Sequence, residues 1–160
     1  MRTITVSTTL EAPADAVWAT VQLPEAFVHV AGSLARYPVA ERHPHPWRVG
    51  DEIVGWTFLL RVLPFSRHRL AVRVVDDERR VLATEEGGGL LRRWDHVITV
   101  EDEDDGRTRY TDRIDIDAGP LTPVVVAYAS AFYRYRQRRW RGLAPLLAAA
   151  ASREPVAQVA

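Results

Sequence analysis

The chain has 160 residues, 47% hydrophobic and 26% charged, with 21 basic and 21 acidic side chains that cancel; this is the profile of one soluble domain whose core needs neither disulfide nor metal to fold. Cysteine is absent and every basic side chain is arginine, which excludes thiolate nucleophiles, thiolate zinc sites, redox pairs, lysine Schiff bases and a P-loop ammonium. The balanced charge leaves no net field to draw the whole molecule to nucleic acid or an anionic membrane.

Met1 to Leu10 lacks the basic head and apolar stretch of a secretory signal. The apolar run Leu121 to Tyr133 is interrupted by Thr122, Pro123 and Ser130 and falls short of the roughly 18 to 20 residues of a membrane span. The expectation is a cytoplasmic protein without a membrane span. Ile4, Val6, Thr8 and Leu10 share one face of a first strand, which Pro13 closes. Ala14 to Val21 reads as a short helix with Val17, Trp18 and Val21 inward, and Pro24 suits the first turn of a second helix reaching about Ala35. From Tyr37 the pattern is strand and turn, with breaks at prolines 38 to 46, Pro64, Asp76-Asp77-Glu78, Gly87-Gly88-Gly89 and Asp104-Asp105-Gly106. Such short spacings favour hairpins and an antiparallel meander. After Pro123 the period becomes helical through Val124, Tyr128, Ala131, Phe132, Tyr135, Arg139 and Leu143, and a long helix is expected to about Ala150 despite Pro145. Residues 1–151 form one domain in this reading, and 152–160 a flexible tail.

This order predicts an α+β fold: a curved antiparallel sheet of six or seven strands wrapped around a long C-terminal helix, with two short helices after the first strand. A bent sheet and a straight helix cannot touch everywhere, so a cavity is expected between them. Ala12-Pro13-Ala14-Asp15-Ala16-Val17-Trp18, Gly89-Leu90-Leu91-Arg92-Arg93-Trp94-Asp95-His96, Gly106-x-Thr108 with Thr111-Asp112-Arg113, and the arginine-rich last helix, in this order, resemble the START, birch-pollen-allergen and polyketide-cyclase superfamily (SRPBCC) with its helix-grip fold. The sequence departs from that pattern at Leu90-Leu91, where relatives often have Pro-Phe, and at Asp95, where a basic or polar residue is common. The resemblance implies binding of a small hydrophobic molecule without a cofactor. It leaves open a polyketide cyclase or aromatase of secondary metabolism and a noncatalytic carrier or sensor of a hydrophobic ligand or lipid.

Strand alternation orients the candidates. His68 shares a face with Leu70, Val72 and Val74; His96 with Trp94, Ile98 and Val100; Asp112 with Tyr110, Ile114 and Ile116. The turn at Asp104 to Gly106 sets His96 opposite Asp112 if paired residue numbers sum to 208, and diagonal to it if they sum to 210. A carboxylate beside an imidazole fixes the tautomer and raises the basicity of a general base, although a buried Asp also takes such a partner for structural reasons alone. His96, Asp112, Tyr37 and His68 are therefore the catalytic candidates: the imidazoles for proton transfer, and the Tyr37 phenol, through the superfamily resemblance, as a donor to an enolate oxygen. Trp94, Tyr110, Trp56, Tyr128, Phe132 and Tyr135 are the candidate ligand walls.

His43-x-His45 offers two metal-ligating imidazoles, but the flanking Pro44 and Pro46 indicate a loop and no third ligand stands nearby, so no metal is expected. The arginines from Arg134 to Arg141 point all around the helix, which argues against a nucleic-acid stripe. No Gly-x-Ser-x-Gly elbow occurs, and the triple glycine lacks a phosphate loop's strand-to-helix setting. The expected partner is the small ligand or a polyketide intermediate, with a homodimer left open.

Overall fold

The structure, a computed structural model, describes residues 1–153. Of the expected tail, residues 154–160 lie outside the described residues. Strand β1 (Arg2–Leu10) is followed by α1 (Ala14–Val21) and α2 (Pro24–Ala31), then β2 (Ala35–Arg36), β3 (Glu52–Leu59), β4 (Leu63–Asp76), β5 (Val81–Gly87), β6 (Arg93–Asp102), β7 (Thr108–Asp117) and the long α3 (Thr122–Ala151). The strands form one seven-stranded sheet in the order β1-β7-β6-β5-β4-β3-β2, with each neighbouring pair antiparallel. This is the helix-grip arrangement predicted from the sequence.

α2 stops four residues short of expectation. Gly32 adopts φ +57°, a positive φ that glycine takes at little cost and that ends the helix, and Ala35 and Arg36 pair with Leu59 and Phe58 instead. The Tyr135 hydroxyl occupies the space a Cβ at Gly32 would need. α3 is 30 residues long and continues through Pro145, whose ring nitrogen cannot donate to the Arg141 carbonyl. Among the described residues no helix is long and apolar enough to cross a membrane.

α3 packs along β1 and β7 through Ala129, Phe132, Tyr133, Arg136, Gln137, Trp140 and Ala144, all buried and spaced by three or four residues. The buried face is thus turned from the sequence-derived stripe: Tyr128 and Phe132 stay near it, while Tyr135 and Val124 lie outside it. Two bulges matter for the site. One between Val72 and Val74 flips the alternation, so Val74 turns outward (40% exposed) and Val75 packs against the core, contrary to the expected shared face with His68. The other, between Thr57 and Phe58, leaves Phe65 without a partner residue in the β3–β4 ladder, and Phe65 is one of the residues lining the cavity.

Candidate functional site

Between the β2-to-β6 half of the sheet and the first turns of α3 lies a cavity of about 260 Å³. Its wall is mostly apolar: Ala35, Phe58, Leu59, Phe65, Leu91 and Trp94 from the sheet side, and Val124, Val125, Tyr128 and Phe132 from α3. The polar groups in the wall are Tyr37, Thr57, His68 and Glu86, together with the Tyr128 hydroxyl. An apolar chamber with a few convergent polar groups is the usual form of a small-molecule site. At the other end of the sheet β1 and β7 pack directly on α3.

His68 and Glu86 are brought together by the β4–β5 pairing. The His68 Nε2 lies 2.8 Å from Glu86 Oε2, and the Thr84 hydroxyl donates to Oε1 at 2.6 Å. Both side chains are nearly covered, at 9% and 7% exposure. Burial alone would push the Glu86 carboxyl up; the hydrogen bond and charge of His68, the charge of His96 and the Thr84 hydroxyl outweigh it and hold the group below its ordinary value. With Nε2 committed to the carboxylate, Nδ1 is the ring nitrogen left for a ligand. Burial, reinforced by Glu86 and Tyr128 and opposed by Arg136, raises the Tyr37 phenol well above its ordinary range, and burial pushes Tyr128 up to about 12. Both phenols remain protonated donors at neutral pH.

Sequence reasoning did not single out Glu86, although alternation along β5 places it on the inward face with Leu82 and Thr84. An acidic residue on an otherwise inward-facing strand side was the available signal.

His96 and Asp112 meet as the sum-210 register requires: Ile98 pairs with Asp112 and His96 with Ile114, so the two are diagonal neighbours. His96 Nε2 stands 2.8 Å from Asp112 Oδ1, which also accepts from the Tyr110 hydroxyl at 3.0 Å, while Gln137 Nε2 donates to Oδ2 at 3.3 Å and to the Val6 carbonyl. Asp112 and Tyr110 are fully buried and line no part of the cavity; His96 borders only a separate void of about 30 Å³, too small for an organic ligand. The physical reason is that Tyr133, whose ring centre is 5.0 Å from that of His96 and whose hydroxyl accepts from Trp94 Nε1 at 3.2 Å, stands over this part of the sheet. Burial would raise the Asp112 carboxyl, but His96, the Arg136 charge and Tyr110 outweigh it and hold it low. Arg136 itself is buried with its guanidinium carbon 5.0 to 5.9 Å from the ring centres of Tyr133, Phe27 and Phe132. The group ties β6, β7, β1 and α3 together from inside.

Of the remaining candidates, Tyr37, Trp94, Tyr128 and Phe132 line the cavity. Trp56 does not: it faces outward at 55% exposure because Ile53, Gly55 and Thr57 take the inner positions of β3. Tyr135 lies away from the chamber, 3.4 Å from the Ser33 amide and hydroxyl. His43 and His45 lie in the loop before β3, where Asp51 joins them.

Solved structures share the fold. The chain is similar to Zhui aromatase/cyclase from Streptomyces sp. R1128 (TM-score 0.67, 14% identity, 90% of this chain and 93% of that one). It is also similar to norcoclaurine synthase from Thalictrum flavum in complex with dopamine and hydroxybenzaldehyde (0.64, 12%, 89% and 85%) and to a START superfamily protein from Mycobacterium smegmatis (0.63, 15%, 91% and 98%). At these identities the likeness establishes the helix-grip fold. No curated protein matches the sequence at a significant level. Residues 8–143 match the family described as "Domain of unknown function (DUF8410)", and the chain belongs to that family.

Proposed function

We propose that the protein binds a small, mostly apolar, oxygen-bearing molecule in the cavity and acts on it as a cyclase or aromatase of secondary metabolism. The observation that carries this reading is the His68–Glu86 pair in the wall of a mostly apolar chamber that Tyr37 also lines. A cavity of about 150 Å³ accepts benzene, so 260 Å³ suits a group on the order of two fused rings. The substrate class is a folded poly-β-ketone chain. His68 Nδ1 takes a proton from a carbon between two carbonyls, with Glu86 balancing the resulting imidazolium, and the Tyr37 hydroxyl donates to the enolate oxygen. The enolate carbon then attacks a second carbonyl of the same chain, the alkoxide takes a proton, and water is lost as the ring gains its double bond. Chamber shape contributes most, because holding both carbons near attack geometry is worth effective molarities of about 10⁵ or more, against about 10² to 10⁴ for acid and base groups.

The named relatives support the substrate class: one is an aromatase/cyclase, and another is described in complex with an aromatic amine and an aromatic aldehyde. In this reading His96 and Asp112 are scaffold, and the proton-transferring imidazole is His68. The test is turnover of a poly-β-ketone thioester by wild type, His68→Gln, Glu86→Gln and His96→Gln, together with affinity for a naphthol read from tryptophan fluorescence. Turnover should fall about 10² to 10⁴-fold in the first two variants, with naphthol affinity changed only a few-fold. Tight naphthol binding with no turnover by wild type would make the protein a carrier, and full activity in His68→Gln would remove the imidazole from the chemistry.

A further inference from the structure

We propose that the loop between β2 and β3 is a binding site for a divalent transition ion of the Zn²⁺ class, held by His43, His45 and Asp51. The two imidazoles lacked a third ligand when read along the chain; the fold supplies it from the residue just before β3. Asp51 Oδ2 stands 3.1 Å from His43 Nε2 and 3.8 Å from His45 Nδ1, and one ligand atom from each of the three residues lies within 4.8 Å of the others. Bonds of about 2.0 to 2.1 Å in tetrahedral geometry put ligand atoms about 3.3 Å apart, so the three need to close by no more than a side-chain adjustment.

The site is built rather than casual. Pro44 and Pro46 fix the backbone on both sides of His45. His43 is stacked on Trp47, ring centres 4.5 Å apart, and its ring meets that of His45 at 69°, so the two imidazoles converge from different directions. The loop is anchored by the Trp47 amide on the Gln22 carbonyl at 2.9 Å and by the Asp51 carbonyl, which accepts from the Val72 amide at 2.8 Å. Asp51 Oδ2 also accepts from the Arg48 amide at 2.8 Å, which holds the carboxylate toward the histidines. Exposure rises from 10% at His43 through 18% at Asp51 to 32% at His45, leaving one side open for a water as fourth ligand. Two imidazoles and one carboxylate suit Zn²⁺, Co²⁺ or Ni²⁺ and disfavour Ca²⁺ and Mg²⁺, which take oxygen ligands. His45 Nδ1 also lies 2.9 Å from the Pro46 carbonyl, so the ion must replace a proton there. A bound ion would clamp the connection that carries Tyr37 to the ligand cavity and Trp47 to the inner void.

The test uses the full chain without an affinity tag, stripped with chelator, and titrated with Co²⁺ while the visible d–d absorption is followed. Wild type should saturate at one ion per chain, and at about a hundredfold excess of Zn²⁺ over its dissociation constant the melting temperature should rise by about 5 to 10 °C. His45→Gln and Asp51→Asn, chosen because one residue is the most exposed and the other keeps its acceptor for the Arg48 amide, should each weaken binding at least tenfold while melting like metal-free wild type. A titration without saturation, or one-ion binding that survives both substitutions, would overturn the assignment.

Discussion

Replacing Asp112 by Asn changes one oxygen to an amide and should cost more than most surface deletions. Asn can still present Oδ1 to His96 and Tyr110, but its amide then meets the Gln137 amide donor, and Gln137 cannot rotate to accept without losing its bond to the Val6 carbonyl. One buried donor is left unsatisfied, at about 1 to 3 kcal/mol, and two charge-assisted bonds become neutral ones, at about 1 kcal/mol each. Arg136, whose charge is second only to the His96 hydrogen bond in holding the Asp112 carboxyl low against burial, also loses its counter-charge. The expected destabilisation is about 3 to 5 kcal/mol, or on the order of 10 °C in Tm, measured by urea and thermal unfolding. The difference has a pH signature. A carboxyl held below its ordinary value contributes stability that is fully present above the unfolded pKa of about 3.9 and is lost as pH falls through the lower folded value. The gap between wild type and variant should therefore be constant near neutrality and shrink below about pH 4. An Asp112→Asn protein within about 1 kcal/mol of wild type that binds naphthol tenfold more weakly would refute the scaffold role and return Asp112 to the site.

Two further perturbations test the surroundings. Of the five tyrosines, Tyr37, Tyr110, Tyr128 and Tyr133 are raised by burial and Tyr135 is lowered, foremost by its hydrogen bond with the Ser33 side chain. An alkaline absorbance titration should accordingly show one phenol ionising below its ordinary value and the other four only above it or with unfolding. Since raised groups lend stability below the unfolded pKa of about 10 that is lost as pH rises, base should unfold the protein in the same range; several phenols titrating at ordinary pH in the folded state would contradict the packing. Gly88→Ala should cost more than about 1 to 2 kcal/mol, because the residue has φ +129° and a Cβ there would collide with the Arg67 carbonyl beside His68; an unchanged melt would place that strand pair wrongly.

Much of this architecture is legible in the residues because the long strands, apart from β4 and the last residues of β3, keep one alternation throughout. In β4 the bulge at Arg73 reverses the faces, and nothing in the run Ala71 to Val75 marks it, since valines flank the bulge on both sides. The α3 face was read about one position off for a related reason. Its centre is occupied by Arg136 and Gln137, which hydrophobic periodicity scores as solvent-facing, yet one is caged by aromatic rings and the other bridges β1 to Asp112. The His96–Asp112 contact follows from the hairpin turn alone, a local constraint. Whether that contact faces a ligand depends on Tyr133, which reaches it from α3 only through tertiary packing, and local pattern carries no such information. Glu86 was missed because its partner, His68, comes from another strand, and Asp51 because only the fold of the loop closes the eight-residue separation between it and His43.

The central claim is that ligand enters the space between the concave sheet and the start of α3, with its oxygen toward His68 and Tyr37. A crystal structure of the protein soaked with a two-ring phenol measures this directly. The account predicts the rings between Phe65, Trp94, Tyr128 and Phe132 and the phenol oxygen within hydrogen-bond distance of His68 or Tyr37. Side chains filling that space, or the phenol seated against His96 and Asp112 instead, would contradict it.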